Sequence, residues 1–374
     1  MNKTRLLIVA ERSSSFYEKY LKKLLTALKD NKIEIFLLIN ENSQILQQIK
    51  NVTIIFSKKF SHLAKNLDEH LFLEVFNIAK EYKIEEIFFI RLFYPSRFIT
   101  AYKTSNMAKE FSFSFSIFGL NEFLLKPIFK QYLNEILNLT TVKNIFLHTI
   151  NPTITKEKAH KSDIINIDKI SFLHDPIYES LSAYKNTSNL RKELGIHKKN
   201  FIFLYFGIYC FSKGVDILLN ATKEFADIKN VTFIFAGNTK TATFDFDKRK
   251  YEKQKNIIFD DNYISEEKAL KYFVTADAIV LPYRKFYEHG TSGVLVQATL
   301  ANKPVIVPNI SPFKETVSSD NLGLTFECES SLHLEKTLKK MIEKKMVFHN
   351  FVSYLNKITP WIKIKKKLQH KELS

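Results

Sequence analysis

Thirteen short apolar runs recur along this chain, most of them separated by stretches of helical period, and that alternation restricts its fold more than any other feature. In the first half the runs are RLLIVA (5–10), KIEIFLLI (32–39), NVTIIF (51–56), EEIFFIRL (85–92), FSFSIFG (113–119), NIFLHT (144–149) and KISFLHD (169–175). Amphipathic segments such as 16–28 and 69–82 lie between them. Runs this short and this uniformly apolar read as strands buried on both faces, and strands joined through helices lie parallel. The expectation is an α/β fold, a parallel sheet with helices on each side.

The rhythm restarts after the polar segment YESLSAYKNTSN (178–189), which is rich in turn formers. Strands are then expected at FIFLYFG (201–207), NVTFIFAG (230–237), NIIFDD (256–261), AIVLP (278–282), PVIVP (304–308) and LGLTFE (322–327), with helices over 215–225, 266–276, 293–301 and 332–344. A chain of 374 residues is long enough for two cores. We therefore divide it into a first domain over 1–180, a second over 181–345 and a tail over 346–374. Two α/β domains in series predict a cleft between them, with ligands at the carboxyl ends of the strands. The tail holds the single tryptophan, Trp361, and the basic stretch IKIKKKLQHK. It fits a helix packed back on the first domain or a basic amphipathic end lying on anionic lipid.

The formal net charge of +17 attracts polyanions: nucleotides, nucleic acid or an anionic membrane surface. Charge alone does not choose among them, and most of the lysines read equally as a solvated surface. No recognition-helix, zinc-finger or RNA-binding signature accompanies it, so no specific nucleic-acid partner is expected. Cys210 and Cys328 stand far apart without metal-ligand spacing, as free thiols in the cytoplasm would. The longest apolar run, 201–211, is too short to span a bilayer, which leaves peripheral contact with the inner face of the membrane. His62, His70, His148, His160, His174 and His289 show no ligand spacing, so no metal or other cofactor is expected.

Two turns carry chemistry. In FSKGVDILLNA (211–221) a buried strand hands over to a helix through Lys213 and Gly214. The first N–H groups of that helix and the ammonium would both favour an anion such as phosphate; a surface lysine followed by a turn glycine is the plainer reading. In LPYRKFYEHGTSGVLVQATL (281–300) a polar loop with Arg284, Glu288 and His289 leads to Thr291, Ser292 and Gly293 at the start of an apolar helix. This makes a second cradle for a diphosphate, although an ordinary N-cap accounts for Ser292 as well.

The stretches FGIYCFSKGVDILLNA, FIFAGNTK, FDDNYISEEKALKYFVTADAIVLPY and TSGVLVQATLANKPVIVPNISPFKETV, in that order, resemble the nucleotide-sugar-binding domain of GT-B glycosyltransferases, above all the retaining group called family 4. HDPIYES (174–180) is similar to the segment joining the two domains of that family. The resemblance implies two Rossmann-like domains with parallel sheets facing across a cleft. It implies an enzyme that moves a sugar, with retention, from a nucleoside-diphosphate sugar to a glycan or lipid-linked acceptor held by the first domain, with ERSSS (11–15) lining its side of the cleft. By the same resemblance Lys213 binds the donor diphosphate and stabilises the leaving group, amides around Ser292, Gly293 and Val294 hold the distal phosphate, and Gly207 lets the strand end approach the ligand. Thr291 belongs to the same cradle.

The departures are as informative. The family has an arginine a few residues before the lysine, where this chain has Ile208, Tyr209 and Cys210. Arg284 could reach the phosphates from the neighbouring loop, or be a solvated loop arginine. Of the two glutamates typical of the family, the one on the ribose is matched by Gln297, whose amide can still bond hydroxyls. Glu288 lies one residue from the other, the position near the donor sugar. These gaps keep open a second reading, a non-catalytic GT-B-like subunit or scaffold of a glycan-assembly complex.

Overall fold

The structure is a computed structural model that describes residues 3–11, 15–29, 32–39, 51–66, 69–92, 94–177, 181–185, 187–238, 248–251, 253–343, 348, 351, 354 and 360–369. The chain divides into unit 1, Met1–Tyr178 with Thr359–Ser374, and unit 2, Glu179–Ile358.

Unit 1 is built on a sheet of seven described strands: β1 (Thr4–Ala10), β2 (Ile33–Ile39), β3 (Val52–Phe56), β4 (Glu86–Phe89), β5 (Ser112–Phe118), β6 (Val142–Thr149) and β7 (Ile170–His174). Their order is β3-β2-β1-β4-β5-β6-β7, and each neighbouring pair is parallel. All seven fall where the apolar runs predict. Alternation along β1 explains why the run is continuous: Leu7 and Val9 enter one core, Leu6, Ile8 and Ala10 the core on the opposite face.

The helix Pro360–Leu368 belongs to the second of those cores. Its Ile364 and Leu368 are buried, and Trp361 meets the Tyr20 ring edge-on at 5.1 Å. The apolar edge of the tail is thus used for packing against the helix Ser15–Leu28, and its lysines lie on the remaining faces.

Unit 2 holds β8 (Phe201–Phe206), β9 (Val231–Ala236), β10 (Ile257–Asp260), β11 (Ala278–Val280), β12 (Val305–Pro308) and β13 (Gly323–Phe326), in the order β10-β9-β8-β11-β12-β13 and all parallel. This is the 3-2-1-4-5-6 order of a doubly wound dinucleotide-binding fold. The strand order reverses between β8 and β11, so the loops that leave those two strands part to opposite faces and open a crevice at their carboxyl ends. The two turns singled out by sequence are those loops.

Candidate functional site

The crevice is shaped first by backbone. Gly207, the residue after β8, has φ +130°, and a Cβ there would stand 2.6 Å from Lys213 Nζ. The ammonium therefore lies directly over the end of β8, in space that any side chain at 207 would take. Gly214 has φ +63°, and a Cβ on it would stand 2.0 Å from the Pro282 carbonyl oxygen. Only glycine lets the helix Val215–Thr222 start hard against the strand end of β11. The Lys-Gly pair is thus a packing requirement and a charge placed side by side.

Lys213 is half-buried, and no carboxylate pairs with it among the described residues. Burial lowers its pKa from the ordinary 10.5, opposed only by the Cys210 thiol. A desolvated ammonium without a counter-ion costs stability, and a bound anion would relieve that cost.

The β11 loop is tied to the β8 loop by Arg284. Its backbone N–H donates to Ser212 O at 2.9 Å, Nη1 donates to Phe211 O at 2.8 Å, and the two terminal nitrogens take both oxygens of Asp216 at 2.9 and 2.7 Å. The guanidinium also lies 3.9 Å from the centre of the Phe211 ring. Arg284, which the sequence offered as a phosphate ligand or a solvated loop arginine, is engaged as a bidentate staple between the two loops, with Asp216 neutralising its charge. Behind it, Tyr283 stacks on Tyr287 at 4.2 Å and shares a hydrogen bond of 3.2 Å with Ser292 Oγ.

Ser292 caps the helix Gly293–Leu300, its Oγ accepting from Leu295 N at 3.2 Å. Gly293 is exposed, and a Cβ on it would meet nothing within 4 Å. The N–H groups of Gly293 and Val294 precede any intrahelical acceptor, so this terminus is an open donor pair. Thr291, Val294 and Gln297 are half-buried, and the Gln297 amide has no partner among the described residues. Glu288 is half-buried and lies 3.6 Å from Lys285 Nζ. His289, which the sequence left without a role, takes a left-handed φ of 58° and donates its N–H to Ser311 O at 2.8 Å, fixing the approach to the cap.

Sequence reasoning missed Asp216, Tyr283 and Tyr287. An acid in the first turn of the Lys-Gly helix was the available signal for Asp216; its pairing with a residue 68 positions away left no trace in the sequence. In unit 1, Glu11 is buried just beyond β1, and residues 12–14 of the ERSSS stretch lie outside the described residues, as do 178–180 of HDPIYES. His148 is fully buried, stacked on Phe118 and hydrogen-bonded to Tyr20 at 3.1 Å, a packed residue rather than a base. No group of three or more His, Cys, Asp or Glu among the described residues could hold a metal ion.

Two doubly wound parallel sheets in one chain, the second with its crevice between a lysine turn and an open helix terminus, are the fold of the GT-B glycosyltransferases. HepE of Anabaena, solved in complex with UDP and glucose, superposes with a TM-score of 0.67 at 15% identity over 98% of each chain. Sucrose-phosphate synthase from Thermosynechococcus elongatus gives 0.69 at 14% identity, also over 98% of each chain. A glycosyltransferase from Rickettsia africae gives 0.70 at 14% identity, over 99% of this chain and 98% of that one. At these identities the likeness is one of fold. Residues 186–357 match the family model of the glycosyl transferases group 1. An uncharacterized glycosyltransferase of Methanocaldococcus jannaschii is 20% identical over 182 residues, 46% of this chain and 45% of that protein, so the match spans about half the length of the relative.

Proposed function

We propose that the protein transfers a sugar from a nucleoside-diphosphate sugar to a hydroxyl of a glycan or lipid-linked acceptor, with retention, as a family 4-like glycosyltransferase on the cytoplasmic face of a membrane. The observation that carries the reading is the Lys213 ammonium, desolvated over Gly207 with no carboxylate beside it among the described residues. In the reaction the bond from the anomeric carbon to the diphosphate oxygen breaks, a bond to the acceptor oxygen forms, and the hydroxyl proton passes to the departing phosphate. Lys213 meets the negative charge that grows on that phosphate, a prepositioned electrostatic contribution. The N–H groups of Gly293 and Val294 take the distal phosphate, with Thr291 beside them. Gln297 bonds the ribose, and Glu288 faces the donor sugar. Arg284 holds the two loops in register.

HepE of Anabaena is seen with UDP-glucose, which makes UDP the first nucleotide to try. The second reading, a non-catalytic subunit, is favoured by one fact: Ile208, Tyr209 and Cys210 bring no cation, and Arg284 is engaged with Asp216, so among the described residues of these two loops Lys213 is the one cation without a carboxylate partner. Titration calorimetry with UDP, GDP and ADP, followed by a transfer screen over nucleotide sugars with native lipid present, separates the two. Catalysis requires micromolar to sub-millimolar binding of one nucleotide. The scaffold reading requires none at millimolar concentration.

A further inference from the structure

Unit 2 has a second concavity, at the end of its sheet away from the crevice. Around the amino ends of β8, β9 and β10 lies a cavity of about 480 Å³, inside the range of about 300–1,000 Å³ usual for small-molecule sites. The six residues of β8 separate it from Gly207, roughly 20 Å of extended chain. Its wall is aliphatic: Leu194 and Ile196 precede β8, Ile228 precedes β9, and Ile258 lies on the edge strand β10. Ile228 is 38% exposed. Lys229 and Lys255 line the same cavity, both exposed and neither paired with a carboxylate among the described residues. Asp227 is the one carboxylate among the lining residues.

Two amides complete the wall. Asn200 Nδ2 donates to Thr232 Oγ1 at 3.0 Å and Asn256 Nδ2 donates to Phe225 O at 2.6 Å, which holds each amide in one orientation. Each Oδ1 is then an acceptor without a donor among the described residues, and that of Asn256 is buried. An acceptor withdrawn from water without a donor costs stability, and a ligand N–H or O–H would supply one.

We propose that this cavity binds a small organic anion that has an apolar body and carries an N–H or O–H donor. Each part of the wall selects one part of the ligand. The four aliphatic side chains gain from burying a hydrocarbon or ring surface, the two lysines attract a carboxylate, sulfonate or phosphate, and the amide oxygens take the donor. Inorganic phosphate alone would leave the aliphatic wall wet. A neutral hydrocarbon would leave the lysines and the amides unmatched. The site lies at the opposite strand ends from Lys213, so it stands whether or not the crevice takes a nucleotide sugar.

The test is fluorescence titration of the full chain with anilinonaphthalene sulfonate, which combines an apolar ring system, an anion and an N–H. Saturable one-to-one binding is expected, equal with and without millimolar UDP. Ile228→Glu should weaken it about tenfold or more, since a carboxylate replaces an apolar contact. Lys229→Ala/Lys255→Ala should weaken it roughly fivefold, the effect of losing two exposed cations. All three side chains are exposed, so an unchanged melting temperature is expected for these variants. Lys213→Ala and Ile362→Glu should bind the dye as the parent does. Indole-3-acetate, which has all three features, should displace the dye, and octanoate, which lacks the donor, should need a roughly tenfold higher concentration. Displacement by UDP, or loss of binding in Lys213→Ala, would put the dye in the crevice and overturn the proposal. Parent-like binding by Ile228→Glu would overturn it by putting the dye on another surface. Equal displacement by octanoate would remove the amide oxygens from the site, and displacement by millimolar inorganic phosphate would reduce it to a small-anion contact; either result overturns the proposal as well.

Discussion

Seven of the eight glycines lie in unit 2, and Gly119 is the single one in unit 1, although the two sheets share the same central strand order. The units meet different demands with one topology. In unit 2 the demands fall on backbone at strand ends, where Gly207 makes room for an ammonium and Gly214 for a carbonyl. In unit 1 they fall on side chains inside the sheet. Glu86, Ser114 and Asn144 form a hydrogen-bonded row across β4, β5 and β6, and Tyr20 joins Ser116 to His148. Where a glycine is indispensable, something besides the fold has to be approached; where polar groups fill an interior, the fold is being specified.

The largest effect is expected at Lys213 in unit 2. Lys213→Ala should lower turnover by 100-fold or more, about 3 kcal/mol of transition-state stabilisation, in a transfer assay, while the melting temperature holds or rises because a desolvated charge is gone. Unchanged turnover would remove the lysine from the mechanism.

Next in size is the contrast within unit 2 between two glycines. Gly214→Ala should destabilise the unit by roughly 3 kcal/mol in urea, since its Cβ meets backbone and its φ is left-handed. Gly293→Ala, with open space around it, should fold as the parent does and lose nucleotide affinity in calorimetry. Leu368→Ala should cost unit 1 about 2–4 kcal/mol, read by denaturation, with UDP binding by unit 2 unaltered.

The interior network of unit 1 predicts a pH effect of similar or smaller size. Burial lowers His148 to about 4, so as pH falls from 6.5 the unfolded chain gains a proton that the folded one refuses, and stability is lost. Burial raises Glu86 to about 7, so as pH rises from 4.5 the folded chain keeps a proton that the unfolded one releases, and stability is again lost. Between 4.5 and 6.5 the two slopes oppose. Relative to the parent, His148→Gln should gain stability toward pH 4 and Glu86→Gln toward pH 7, each by about 3 kcal/mol at most, in denaturant titrations across that range. Parallel curves for parent and variants would show that neither group titrates as placed.

Both sheets could be read from the chain because a strand covered on both faces must be apolar throughout, and FIFLYF or RLLIVA can satisfy little else. The Lys-Gly turn and the start of the helix Gly293–Leu300 were legible for a local reason, since a helix terminus announces itself within three or four residues. What stayed hidden is pairing at a distance. Arg284 read as free to reach a phosphate because Asp216, which holds it, is 68 residues earlier, and the row from Glu86 to Asn144 crosses three strands.

One consequence follows from the lysine over Gly207. Since the fold has already withdrawn part of the water from that ammonium, an arriving diphosphate has less of it left to strip, and the lysine's proton affinity rises on contact. Donor association at alkaline pH is then accompanied by proton uptake. The heat of binding should differ between buffers of low and high ionisation enthalpy, by an amount that disappears when Lys213 is replaced by methionine.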